Sequence, residues 1–89
     1  MDLQIFTIFD TKADAYLNPF FLPNAKLAIR TFADCINDPD HAFSKNPQDY
    51  VLFNLGTFDN IKGRINSHEY AKSLGNGLEH LRKEISTNA

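Results

Sequence analysis

The stretch NDPDHAFSKNPQDY, residues 37–50, sets Asp38, Asp40, His41 and Asp49 close together. Carboxylates beside an imidazole are the donor types that hold a divalent cation or pass a proton. Their spacing points elsewhere. Pro39 disfavours helical geometry at Asp38, so Asp38-Pro39-Asp40 reads as a helix stop and turn, and Pro47-Gln48-Asp49 ahead of an apolar run reads as a second turn. Asp38, Asp40 and Asp49 are therefore expected to cap and turn the chain, with no metal among them. Gly56, Gly63, Gly75 and Gly77 match neither GxGxxG nor GxxxxGK[ST], and neither a calcium-binding loop nor a His-Glu-x-x-His helix is present. No cofactor is expected.

Nucleophilic chemistry has as little support. Cys35 is the single cysteine, which excludes an intramolecular disulfide and a cysteine-based zinc motif within one chain. Its place beside Phe32 and Ile36 suits a small core residue better than a thiolate. His41, His68 and His80 lie among polar neighbours and are expected to be exposed and uncoupled. One constellation suits nucleic acid: Lys62 and Arg64 near a turn, with Tyr50 or Phe58 on the adjoining strand, where cations track phosphate and rings stack on bases. The same residues would furnish an ordinary half-exposed hairpin. A formal charge of −2 and a pI near 5.8 give no general attraction to a polyanion.

These side chains need a scaffold, and 89 residues make a single domain, 1–89. At that size roughly 60–65% of the unfolded surface is buried on folding, so the core is thin. With eight Phe, three Tyr and no Trp it should be rich in phenylalanine. Neither a run of about 18 apolar residues nor a basic leader with an apolar stretch is present, so the expectation is a cytoplasmic protein with no membrane contact.

Leu3 to Phe9 reads as a strand with Leu3, Ile5 and Phe9 on one side and Phe6 and Ile8 on the other, hence a central strand. Pro19 and Pro23 bracket Phe20 and Phe21 in an extended loop or edge segment. Asn24 caps a helix over residues 25–37, whose apolar face is Ala25, Ile29, Phe32, Ala33 and Ile36. Tyr50 to Phe58 reads as a second strand, Val51, Phe53, Leu55 and Thr57 on one side and Tyr50, Leu52, Asn54, Gly56 and Phe58 on the other, with Gly56 marking a bulge or a close approach. Asp59 to Gly63 form a hairpin connection, Gly63 supplying positive φ, before a brief return strand around Arg64 and Ile65. Leu74, Leu78, Leu81 and Ile85 recur at helical spacing and predict a C-terminal helix whose first turn is loosened by Gly75 and Gly77.

The fold class expected is thus α+β: a small antiparallel sheet of about three strands, one packed helix and a C-terminal helix. A first strand apolar on both sides has more surface than these helices cover. The expectation is a homodimer, with Phe20 and Phe21 as its self-complementary patch.

The ordered series IFTIFDTKADAYLNPFF, AIRTFADCINDPDHAFSKNPQDYVLFNLGTFDNIKG and SLGNGLEH resembles the small nonstructural protein of gokushoviruses, the icosahedral single-stranded DNA phages of the Microviridae. The resemblance runs over nearly the whole chain: a strand ending in Asp and Lys, a Pro-Phe-Phe segment, an Ala-x-Arg-x-Phe helix, an Asp-Pro-x-His turn, a Pro-x-Asp-Tyr strand entry and a Leu-Gly-x-Phe-Asp strand exit. It implies a protein made in the cytoplasm of the infected bacterium and absent from the mature virion, likened by genome position to the coliphage protein that turns replication toward single-strand synthesis and packaging. No catalytic residues come with it. The function so implied is a non-enzymatic adaptor that binds single-stranded DNA, host replication proteins or the phage procapsid. The alternative is an assembly or host-modulating interaction module with no DNA contact.

Overall fold

The computed structural model describes residues 2–82. The chain runs β1 (Asp2–Asp10), β2 (Ala15–Tyr16), β3 (Phe20–Leu22), α1 (Ala25–Asn37), α2 (Ala42–Lys45), β4 (Tyr50–Asp59) and β5 (Arg64–Asn76), with single 3-10 turns at Pro47–Asp49 and Gly77–His80. The α+β class stands, but the antiparallel sheet has five strands where about three were expected. β1 and β4 lie at its centre, β5 borders β4, and the far edge of β1 is shared by β3 beside Gln4–Phe6 and β2 beside Phe9–Asp10.

The helix forms where the periodicity placed it. Asn24 accepts a hydrogen bond from the Leu27 N–H through Oδ1, and the helix stops at Asn37, one residue before the position that Pro39 restricts. Its inner face buries Ala28, Phe32 and Ile36 against Phe6, Ile8 and Leu52 of the sheet, with Ala25 and Ile29 half-buried at the margin. Each large apolar side chain fully buried there contributes about 1.5–3 kcal/mol. The helix covers only the half of the sheet that carries those residues.

β1 and β4 meet in register from Asp10↔Tyr50 to Asp2↔Asp59, broken once, where Leu55 is inserted between the pairs Phe6↔Asn54 and Ile5↔Gly56. A one-residue insertion reverses the side-chain alternation beyond it. Strict alternation had put Phe58 with Leu52 and Thr57 with Val51. Instead Phe58 sits opposite Leu3, on the side of Val51 and Phe53, and Thr57 sits opposite Gln4, on the side of Leu52. Gly56 permits this with φ of +152°, and its missing Cβ leaves room for the Asn66 carbonyl of β5.

The C-terminal region departs from expectation most. β5 is 13 residues long where a brief return strand was predicted, and it takes in Leu74, which packs against the core. Leu78 falls in the 3-10 turn, and it and Leu81 are exposed, so the leucines spaced for one helical face share none. Two features override the helical pattern. Gly75 adopts φ of +115° while paired with Leu52, and buried Gly77 packs against the Pro47 carbonyl and the Ile36 side chain, where helical continuation has no room. Ile85 of that predicted stripe lies outside the described residues.

Candidate functional site

The sheet has two unlike faces. On the helix side the residues run from apolar to polar toward the hairpin: Phe6, Ile8 and Leu52 under α1, then Gln4, Asn54 and Thr57 beyond it. On the other side, β1 and β4 are apolar apart from Thr7. Leu3, Ile5, Thr7 and Phe9 of β1 stand there beside Val51, Phe53 and Phe58 of β4; no helix packs on them, and the Tyr16–Phe21 segment covers the middle, leaving Ile5 and Thr7 buried. The apolar ring system Phe9–Tyr16–Phe53, with centroids 4.6 and 5.9 Å apart, lies at one end and the Phe21–Phe58 edge contact at 5.6 Å at the other. Such aromatic pairs add about 0.5–1.5 kcal/mol beyond the area they bury.

Between them opens a groove of about 380 Å³ lined by Thr7, Tyr16, Leu17, Pro19, Leu55 and Ala71. Leu55 reaches it from the same side as Val51 and Phe53, just before the bulge reverses the strand. The polar atom on its floor is already engaged, since the Thr7 hydroxyl donates to the Leu17 carbonyl at 2.6 Å. Ligand pockets combine apolar walls with a few converging polar groups; this groove offers walls alone.

At the hairpin, Asp59 folds the turn by accepting from the N–H groups of Ile61 at 2.9 Å and Lys62 at 3.1 Å. Those bonds, Lys62 first, hold its carboxyl below the ordinary value because they favour the charged form. Gly63 closes the turn with φ of +69°, as expected. Lys62 and Arg64 are exposed there, close to half-buried Phe58, but Asp2 and Asp59 face each other at the same end and offset their charge. Tyr50 is not part of that group. It lies at the opposite end of β4, about 27 Å away by strand rise, with its ring 4.3 Å from that of Phe43. Burial, then Asp10 and Asp49, pushes its hydroxyl pKa up. Arg64, paired with Asp59, also points to the face opposite that of Phe58, so the structure does not bring Lys62, Arg64, Tyr50 and Phe58 together as one stacking platform.

Phe20 and Phe21 point to opposite faces. Phe20 stacks on Phe6 at 5.8 Å and belongs to the helix-side core, while Phe21 is 43% exposed on the uncovered face. They do not form one patch. The residues missed are Tyr16, Leu17 and Ile65, exposed on or at the rim of the uncovered face. Their signal was faint, because Tyr16-Leu17 sits between turns and Ile65 stands alone among polar neighbours.

The acidic stretch serves the backbone. The Asp38 carboxylate accepts from the Asp40 N–H at 2.9 Å, and Asp49 acts through its main chain, its carbonyl accepting from the Thr11 N–H and hydroxyl. Among the described residues no three His, Cys, Asp or Glu side chains gather as metal ligands. The histidines are tied rather than free: His41 Nδ1 accepts from the Phe43 N–H, His68 Nε2 donates to Asn54 Oδ1 at 3.0 Å, and His80 Nε2 donates to the Leu74 carbonyl at 2.9 Å. Cys35 is half-buried, and burial followed by Asp34 and Asp38 raises its thiol pKa, away from thiolate character.

Fold and surface together define a small α+β protein with one sheet face packed under a helix and the other partly covered by its own Tyr16–Phe21 segment. The chain belongs to the Phage ORF5 protein family, which matches it over residues 3–80, and is thus a phage protein. No curated protein and no solved structure matches it. No helix among the described residues is long and apolar enough to cross a membrane.

Proposed function

We propose that this phage protein is a non-enzymatic adaptor of the gokushovirus kind, within the Microviridae, that acts in viral single-stranded DNA synthesis and packaging. It works in the cytoplasm of the infected bacterium and is absent from the mature virion. Membership of a phage family and the motif series over nearly the whole chain support this reading. The observation that carries the adaptor role is the sheet face without a helix, whose apolar side chains Tyr16, Leu17, Phe21 and Ile65 stay exposed. Adaptors work through such surfaces. Replication proteins or the procapsid are its protein partners, and Lys62 and Arg64 at the hairpin are the place for any direct contact with single-stranded DNA phosphates.

A second reading, an assembly or host-modulating module with no DNA contact, is favoured by one observation. The two cations at the hairpin stand beside Asp2 and Asp59, so phosphate gains little there. Pull-down of the tagged chain from infected cells, with and without nuclease, separates the two. Nuclease-sensitive recovery of viral DNA or replication proteins supports the first, and nuclease-resistant recovery of coat protein alone supports the second. Stoichiometric presence in purified virions would sink the nonstructural assignment.

A further inference from the structure

We infer that two copies of this chain pair face to face through the uncovered sheet surface, each copy filling the other's groove. The pairing uses the face on which the adaptor reading rests and names a second copy as its occupant in the isolated protein; three features of that face support it.

The first is its charge. Reading the register and alternation across β1, β4 and β5, the side chains that share the face include Leu3, Ile5, Phe9, Phe53 and Phe58, with Thr7 on β1 and Ser67, Glu69, Ser73 and Asn76 on β5 as its polar members, and no Lys or Arg. A nucleic acid brings a row of phosphates and calls for matching cations. This face has none to offer, so its occupant is apolar protein.

The second is its area. Tyr16 is 57% exposed, Ile65 61%, Phe21 43% and Leu17 40%. With about 200 Å² for a fully exposed large side chain, these four leave on the order of 400 Å² in water, and the half-buried rings beneath them bring the face to roughly 600 Å². That is the upper end for a monomer's largest apolar patch. Two such faces together bury on the order of 1,200 Å², where stable specific interfaces begin.

The third is shape. The same face carries both a recess, the groove between Tyr16, Leu17, Pro19, Leu55 and Ala71, and projecting side chains, Ile65 and Phe21. A twofold contact requires a surface to supply both halves of its own complement. The recess has no free polar atom on its floor to select a polar guest, because the Thr7 hydroxyl is bonded to Leu17. An aliphatic or aromatic side chain fits it, and stacked sheets at about 10 Å spacing bring one within reach.

Light scattering from the full chain at tens of micromolar tests the pairing: the expected mass is twice the 10.1 kDa of one chain, and a monomer at that concentration overturns the inference. Tyr16→Asp and Ile65→Asp place a carboxylate in the face and should each weaken the dimer at least about tenfold. Ile61→Asp, at an isoleucine 80% exposed on the hairpin tip, should leave it unchanged. A dimer unaffected by both face variants, or weakened equally by the tip variant, overturns the placement. Circular dichroism confirms that each variant is folded, and wild-type protein mixed from two isotope labels gives a reading that needs no variant. Intermolecular NMR contacts from the Tyr16 ring to side chains of the same face are expected, and a dimer lacking them would refute the interface. If a single-stranded oligonucleotide instead perturbs Tyr16 and Ile65 in a monomeric wild type, the face belongs to nucleic acid and the inference fails.

Discussion

The two faces of the sheet are built from alternate residues of the same strands, yet they meet different fates. On the helix side, apolar character stops where α1 stops: Phe6, Ile8 and Leu52 lie beneath it, and Gln4, Asn54 and Thr57 take over beyond. Composition there follows cover. On the other side no helix is present, and Leu3, Ile5, Phe9, Phe53 and Phe58 continue to the hairpin regardless. The segment from Tyr16 to Phe21 buries Ile5 and Thr7 in its middle, but Tyr16, Leu17, Phe21 and Ile65 stay exposed around them, and an apolar rim of that size points to something outside the chain. The bulge at Leu55–Gly56 strengthens the contrast, since it turns Phe58 onto the open face and Thr57 off it.

If the helix side is the core that holds the fold, damage there should cost most. Phe32 is 1% exposed and touches Phe43 and His80 as well as the sheet. Phe32→Ala should lower unfolding free energy by about 3–5 kcal/mol through the cavity it leaves. Urea denaturation measures it, and a variant that unfolds at the wild-type midpoint would mean that this face is not where stability resides.

The bulge should come next. At Gly56 any side chain meets a φ of +152° and the Asn66 carbonyl together, so Gly56→Ala should cost about 1–3 kcal/mol. A loss under about 0.5 kcal/mol would show that the strand re-registers cheaply, and the phase reversal that gives the open face its Phe58 would then be optional.

How far these features were legible depended on how local their causes are. α1 could be read because its cap, its apolar period and Pro39 all lie within a few residues of one another. The turn role of Asp38 was readable for the same reason. β5 could not be read: Arg64–Asn76 has almost no apolar alternation, and its partner is set by the hairpin and by glycine contacts with Pro47 and Ile36 from far along the chain. The leucine spacing that suggested a helix is a local signal overruled by those distant contacts. The candidate site suffered likewise. Strict alternation misassigned Phe58, and adjacency in sequence made a pair of Phe20 and Phe21 that the strand pleat separates.

On the open face a substitution should cost the fold little. Ile65→Ser, at a 61% exposed position, should change stability by less than about 1 kcal/mol in dilute solution. Denaturation of the dilute chain measures this. A loss matching that of Phe32→Ala would place Ile65 in a core and erase the distinction between the faces.

The smallest effect expected lies where the two faces end, at the hairpin. Asp59 Oδ1 accepts from the Ile61 and Lys62 N–H groups, and both bonds favour the ionised carboxyl. A carboxyl whose folded pKa lies below its unfolded one stabilises the structure fully above the unfolded value, about 3.9 for Asp, and loses that contribution as pH falls through the folded value. The turn should therefore be constant from neutrality down to about pH 5 and loosen only below about pH 4. The amide resonances of Ile61 and Lys62 should follow one carboxyl titrating below the ordinary range, while those of Phe6 and Leu52 hold until the whole chain unfolds. In Asp59→Asn the acceptor remains but the charge is gone, so the tip amides should lose that titration and keep their position. Tip amides that titrate at or above the ordinary aspartate value would mean that Asp59 does not hold the turn, leaving Gly63 alone to set the direction in which Lys62 and Arg64 are presented.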